Sequence, residues 1–110
     1  MGVMTATVDY NGPMGNKRLT MGKMTFSASY ANPGGDTFTL RNLGLTQELT
    51  KLILIPTSNS GALIAEADGP NLKVLLFNPT AAGTTAVPAS QVDNASDQSL
   101  ISFDYLAIGT

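Results

Sequence analysis

The sequence predicts an all-β protein, a jelly-roll-like β-sandwich of about six to eight short strands. Apolar and hydroxyl side chains alternate along several short segments, which is the pattern of half-buried strands. Clusters of glycine, proline, asparagine and aspartate separate these segments, and such residues supply the backbone angles of turns. At 110 residues with 43% hydrophobic content, the chain is long enough to form one core.

The N-terminal residues differ from the rest because residues 11–22, NGPMGNKRLTMG, are rich in glycine and methionine and show no alternation. We therefore expect residues 1–21 to form an N-terminal arm, either a frayed terminus or an extended segment ordered by a partner, and residues 22–110 to form the sandwich. Methionine side chains adapt well to irregular surfaces, which favours a contact role for this arm. The expected partner contacts are Met14, Lys17, Arg18 and Met21. Removing such an arm would leave the stability of the sandwich almost unchanged.

Two strands are expected around a turn at residues 32–36, where proline removes a backbone donor and glycines accept positive φ. Before this turn, residues 24–30 alternate between apolar and hydroxyl side chains and predict a half-buried strand. After it, residues 37–40 are expected to form the next strand. A glycine interrupts the following segment, so we expect at most one helical turn, at residues 46–49.

The middle of the chain predicts three further strands. Residues 51–55 form a short and mostly apolar run, which is typical of a central strand covered on both faces. The segments at residues 62–67 and 72–77 flank an Asp-Gly-Pro-Asn turn. They predict the clearest hairpin in the chain.

The C-terminal part predicts a loop followed by a closing strand. Residues 78–90 contain two prolines and several small residues, so we expect a surface loop there. Alternation returns at residues 99–108 and predicts a strand with one face toward the core. The predicted inward residues are Ile101, Phe103, Tyr105 and Ala107.

The composition argues against an enzyme. The chain contains no cysteine and no histidine, which excludes disulfides, thiolate chemistry and His-dependent triads or metal sites. Glu66 and Asp68 flank a hairpin turn, where acidic side chains normally point into water. Asp93 and Asp97 lack the spacing of a calcium loop and fit an ordinary Asx-type turn. We therefore expect no catalytic residues, no metal and no cofactor.

Charge and hydropathy restrict the partners. The net charge of −2 comes without a basic stripe, so we expect no nucleic-acid partner. The longest apolar run is far shorter than the roughly 20 residues of a membrane span, so we expect no membrane partner. A carbohydrate- or small-ligand-binding module stays open as an alternative, and it would need Tyr30 and Tyr105 side by side in a groove.

Two segments resemble small structural proteins of tailed-phage heads: GKMTFSASYANPGGDTFTLRNLGL, residues 22–45, and ASQVDNASDQSLISFDYLAIGT, residues 89–110. The shared features are a Ser-Tyr-Ala stretch before Gly-Gly-Asp, a Leu-Gly-Leu segment and a final strand ending in Ala-x-Gly. The resemblance covers residues 22–110. It implies structural roles in turns for Tyr30, Gly34, Gly35, Asp36 and Gly44.

The resemblance implies a capsid decoration, or cement, protein: a β-sandwich that binds and stabilises the outside of a bacteriophage head. The implied partners are the major capsid protein and sister subunits in a dimer or trimer. The implied location is the virion surface, after assembly in the host cytoplasm. A tail, fibre or neck module of the same sandwich type is the first alternative, followed by the ligand-binding module.

Overall fold

The computed structural model describes residues 2–61, 63–78 and 90–110, which contain seven β-strands in two antiparallel sheets. In chain order these are β1 (Thr5–Met14), β2 (Lys17–Thr25), β3 (Asp36–Thr37), β4 (Leu49–Ile55), β5 (Ile64–Asp68), β6 (Lys73–Phe77) and β7 (Ser102–Gly109). The four-stranded sheet has the order β1-β2-β7-β4, and the three-stranded sheet has the order β3-β6-β5. The predicted all-β, sandwich-like fold is confirmed.

The N-terminal segment is a β-hairpin, which differs from the expected extended arm. The two-residue turn Gly15–Asn16 joins its strands, and the φ of 62° at Gly15 suits a tight hairpin turn with glycine first. β2 then pairs with β7 from Arg18 to Thr25, so its backbone hydrogen bonds are made within the chain. The expected boundary between residues 21 and 22 therefore lies inside a strand of the four-stranded sheet.

The strand predicted for residues 24–30 ends at Thr25. Beyond it, the backbone N–H groups of Ser27 and Ala31 donate to the buried carboxylate of Asp36 at 2.9 and 3.1 Å. A side-chain acceptor thus replaces the hydrogen bonds of a neighbouring strand. Such local bonding competes with sheet formation and leaves no trace in the alternation of the sequence.

The turn that follows is present, but the elements after it are shorter than expected. Gly35 has a φ of 85°, and a Cβ there would lie 2.7 Å from a carbonyl oxygen of β6, so the position requires glycine. β3 has two residues, whereas a strand was expected over residues 37–40. The helical turn of this segment is a 3₁₀ turn at Arg41–Leu43, not at residues 46–49, and a second 3₁₀ turn spans Ser58–Ser60.

The later strands follow the predictions more closely, with one exception. β5 and β6 form the predicted hairpin, and β7 forms the predicted closing strand. β4 lies at an edge of its sheet, not in the predicted central position, and Ile53 and Ile55 are 47% and 45% exposed. The predicted surface loop falls on residues 79–89, outside the described part of the chain, apart from its two ends.

The core lies between the two sheets. Its buried residues are Met4, Met24, Phe26, Tyr30, Phe38, Leu43, Leu45, Val74, Leu76, Val92, Phe103, Tyr105 and Ala107. Phe103 packs edge-on against Phe26, with ring centres 6.1 Å apart. The predicted inward face of β7 is therefore confirmed for Phe103, Tyr105 and Ala107.

Tyr30 connects the loop after β2 to the three-stranded sheet. Its hydroxyl oxygen accepts hydrogen bonds from the backbone N–H of Leu76 at 2.7 Å and from the side-chain amide of Gln91 at 2.6 Å. The ring itself is only 1% exposed. Tyr30 and the buried Asp36 thus hold the turn region in place.

Candidate functional site

The four-stranded sheet has one face against the core and one face that is left largely uncovered, except at Ser102, which is buried beside Ser60. We call the uncovered side the outer face. It comprises Thr5, Thr7, Tyr10, Leu19, Met21, Lys23, Thr25, Lys51, Ile53, Ile55, Asp104, Leu106 and Ile108. These residues alternate along the strands with the buried ones, because successive side chains of a strand point to opposite sides.

An apolar row crosses the centre of the outer face. Tyr10 pairs with Met21, Met21 with Leu106, and Leu106 with Ile53, so one residue from each strand lies in the row. Tyr10, Met21 and Ile53 are 48%, 39% and 47% exposed. Directly opposed side chains in a sheet have Cβ atoms about 5 Å apart, which makes this row continuous.

A second row, beside the first, extends the apolar area. Leu19 pairs with Ile108, and Ile108 pairs with Lys51 on the edge strand. Leu19 and Ile108 are half-buried. Contiguous apolar surface of this kind on a folded protein commonly marks a protein–protein contact.

Two opposite charges lie side by side on the outer face. Lys23 of β2 pairs in register with Asp104 of β7, and both side chains are exposed. Within the described chain, the ion pair that forms is instead between Lys17 and Glu48, at 2.9 Å. Lys23 and Asp104 are therefore available to other charged groups.

The four residues predicted to contact a partner all lie on the hairpin, but in different surroundings. Met21 lies at the centre of the outer face, whereas Met14, which is 44% exposed, lies at the turn end of β1. Arg18 donates to the side-chain oxygen of Asn11 at 2.6 Å. Lys17 donates to Glu48 and Thr50, and this contact lowers the pKa of Glu48. Their role in binding stays a prediction.

A shallow cleft of about 480 Å³ lies beside the turn of this hairpin. Its lining residues are Pro13, Gly15, Asn16, Lys17, Arg18, Thr46, Gln47 and Thr110. The backbone N–H groups of residues 46–48 all donate to the carbonyl oxygen of Thr110, so the donors on that side already have an acceptor. The cleft is thus a junction between the hairpin and the end of β7.

Of the candidate acidic residues, Asp68 and Asp97 are hydrogen-bonded in their own turns, whereas Glu66 is exposed on β5. Asp68 accepts a hydrogen bond from Asn71 at 2.9 Å. The hydroxyl and backbone N–H of Ser99 donate to Asp97 and lower the pKa of its carboxyl. Over residues 2–61, 63–78 and 90–110, no cluster of three or more acidic side chains is placed to hold a metal ion.

The tyrosines required for a sugar-stacking groove are inaccessible. Tyr30 and Tyr105 are each 1% exposed, and burial raises the pKa of Tyr105. Tyr10 is the tyrosine that lies at the surface. The ligand-binding alternative requires Tyr30 and Tyr105 side by side in an open groove, and this requirement is therefore not met.

No family model, curated protein or solved structure matches this chain. The described residues include no helix long and apolar enough to span a membrane.

The outer face is the main candidate site, and sequence reasoning did not identify it. The signal was present, because Leu19, Met21 and Lys23 alternate with the inward Thr20, Gly22 and Met24.

Proposed function

We propose that this protein is a structural component of a bacteriophage particle that binds and stabilises the outside of the capsid. In this proposal it is not an enzyme, and its partners are sister subunits and the major capsid protein. The observation that carries the assembly of this protein with other protein chains is the outer face, where an apolar row crosses all four strands of the sheet. Contact with other protein is what commonly covers such a surface.

The sequence resemblance supports the assignment to a bacteriophage particle and to the outside of its head. The residues that carry it, Tyr30 and Asp36 among them, form a buried and hydrogen-bonded turn region next to the core. A stable scaffold of this kind suits a protein that acts by covering surface. A ligand that binds only the assembled shell stabilises it by RT ln(1 + [L]/Kd), so many copies stiffen a lattice without any chemistry.

In this proposal the capsid contact lies at the turn end of the β1–β2 hairpin. Met14 is exposed there, and Arg18 is exposed with its guanidinium bonded only to Asn11 among the described groups. Met21 and the rest of the outer face remain for sister subunits.

The direct experiment uses purified particles of the phage that encodes this chain. We expect the chain to be found in heads after tails are removed, and recombinant protein to sediment with heads that lack it. Met14→Asp combined with Arg18→Glu should reduce sedimentation at least tenfold, while the matched change Ile64→Asp on β5 should not. Absence of the chain from purified heads would overturn the proposal.

A further inference from the structure

We propose that two copies of this chain pack outer face against outer face, around a two-fold axis that runs parallel to the strands between β2 and β7. The proposal deepens the proposed function and rests on it for the idea that the protein works as an assembled structural unit. Its test uses the purified chain alone, so the two proposals fail separately.

The register of the sheet determines which residues meet. An axis between β2 and β7 places β2 of one copy over β7 of the other, at the same height along the strands. Met21 then faces Leu106 of the partner subunit. One step along the strand, Leu19 faces Ile108 of the partner subunit. The apolar centre of each face is therefore covered by the apolar centre of the other.

Of the charged residues on the face, Lys23 and Asp104 select this axis, because Lys51 faces no anion under either axis. Lys23 and Asp104 occupy the same height on β2 and β7, so each faces its opposite in the partner subunit, and symmetry forms the pair twice. An axis perpendicular to the strands through the central row would place Lys23 against Leu19 of the partner subunit. It would likewise bury Asp104 without a cation, which is strongly unfavourable.

The edge strands complete the contact. The same axis places Tyr10 of β1 over Ile53 of the partner subunit's β4. Both residues are about half exposed in the single chain. Two sheets that pack face to face lie about 10 Å apart, which leaves room for side chains of this size.

The area is sufficient for a dimer. Four strands about 4.8 Å apart and eight residues long at about 3.3 Å per residue span roughly 19 by 26 Å, or about 500 Å² per copy. Pairing two such faces removes on the order of 1,000 Å² in total, near the lower bound for a specific interface. A self-complementary patch gives a closed dimer, whereas a trimer needs two different patches.

The sequence of β4 supports a cover over this face. Residues 52–55 are apolar on both sides of the strand, a pattern typical of strands that are covered twice. In the single chain only one side is covered, and Ile53 and Ile55 remain exposed. A second copy on the outer face supplies the missing cover.

The first test is the solution mass of the purified chain, measured by light scattering and sedimentation. We expect twice the chain mass of 11.4 kDa for the wild type. Leu106→Glu should give the single mass with an intact thermal transition, because it places carboxylates near the axis. Ile64→Glu, which places the same charge at an exposed apolar position on the other sheet, should remain dimeric.

The second test exchanges the charges. Lys23→Glu and Asp104→Lys should each weaken the dimer at least tenfold, because each places like charges opposite each other across the axis. An equimolar mixture of the two variants should dimerise again, since every cross-axis pair in the mixed dimer is then of opposite sign. Arg41→Glu, a charge change on the 3₁₀ turn, should leave the dimer unchanged.

Three outcomes would overturn the proposal. The first is a wild-type chain that stays monomeric at high concentration, which would assign the face to another protein. The second is dimers that persist in Leu106→Glu and are lost in Ile64→Glu. The third is single charge variants that weaken the dimer while their mixture shows no recovery, because this would mean that Lys23 and Asp104 act within one chain.

Discussion

Side chains that alternate along β7 divide into two sets with different surroundings. Phe103, Tyr105 and Ala107 are at most 1% exposed and contact the core. Leu106 and Ile108, equally apolar and on the same strand, are only half-buried on the outer face. The core side therefore stabilises the single chain, whereas burial of the outer side stabilises a complex with whatever covers it.

The largest expected effect comes from deleting residues 1–20, which removes β1 and half of β2. The deletion leaves one edge of β7 without a full partner and uncovers the core beside Met24. We expect the cooperative thermal transition in circular dichroism to disappear. A truncated chain that melts near the full-length midpoint would contradict this. It would show that the core is stable without the hairpin, which is the result expected for a detachable arm.

Phe103→Ala tests the core side directly. We expect a loss of about 3–5 kcal/mol in the free energy of unfolding, because the substitution leaves a cavity beside Phe26. Ile53→Ala on the outer face is the matched control, with an expected loss below about 1 kcal/mol at dilutions where the chain is monomeric. Equal losses in urea melts would break the distinction between the two faces.

Asp36→Ala tests a polar group on the core side. The carboxylate accepts hydrogen bonds from two backbone N–H groups. Without it, both donors lose their acceptor, and the free energy of unfolding should fall by about 3 kcal/mol. Asp36→Asn keeps one acceptor oxygen and should lose less. Asp104→Ala, an exposed carboxylate on the outer face, should change the urea midpoint little at dilutions where the chain is monomeric. A similar midpoint for Asp36→Ala and Asp104→Ala would contradict the structural role of Asp36.

The smallest effect concerns the ion pair at the edge of the sheet. Contact with Lys17 lowers the pKa of Glu48 below its ordinary value of 4.5, so the ionised form is favoured in the folded state. The resulting stabilisation is present above that value and disappears as the pH falls through the lowered pKa. The wild type should therefore exceed Glu48→Gln in urea midpoint at neutral pH, and the difference should vanish in acid. A difference that persists in acid would contradict this assignment.

Sequence reasoning recovered the features that depend on local pattern. The β5–β6 hairpin and the inward face of β7 follow from turn residues and alternation, and both are present. The first hairpin was missed, although Gly15–Asn16 between Met14 and Lys17 is a typical two-residue turn. Its glycines and methionines were interpreted as irregular because β1 is mostly exposed and carries little apolar alternation of its own.

Other features depend on contacts between distant residues and could not be predicted locally. The strand at residues 24–30 stops early because Asp36 captures two backbone donors across the turn. The apolar run of β4 predicted a central strand, but position within a sheet is set by pairing with β7 and not by composition. The outer face likewise exists only because three strands from distant parts of the chain align their apolar rows.

The strand order has a consequence for synthesis of the protein. β7 lies between β2 and β4, yet it follows both in the chain, so neither can complete its pairing until residues 102–109 have left the ribosome. Until then the nascent chain holds an open edge on β2 and apolar residues on both sides of β4. The polypeptide therefore passes through a stage in which it depends on rapid completion, or on a chaperone, to avoid aggregation.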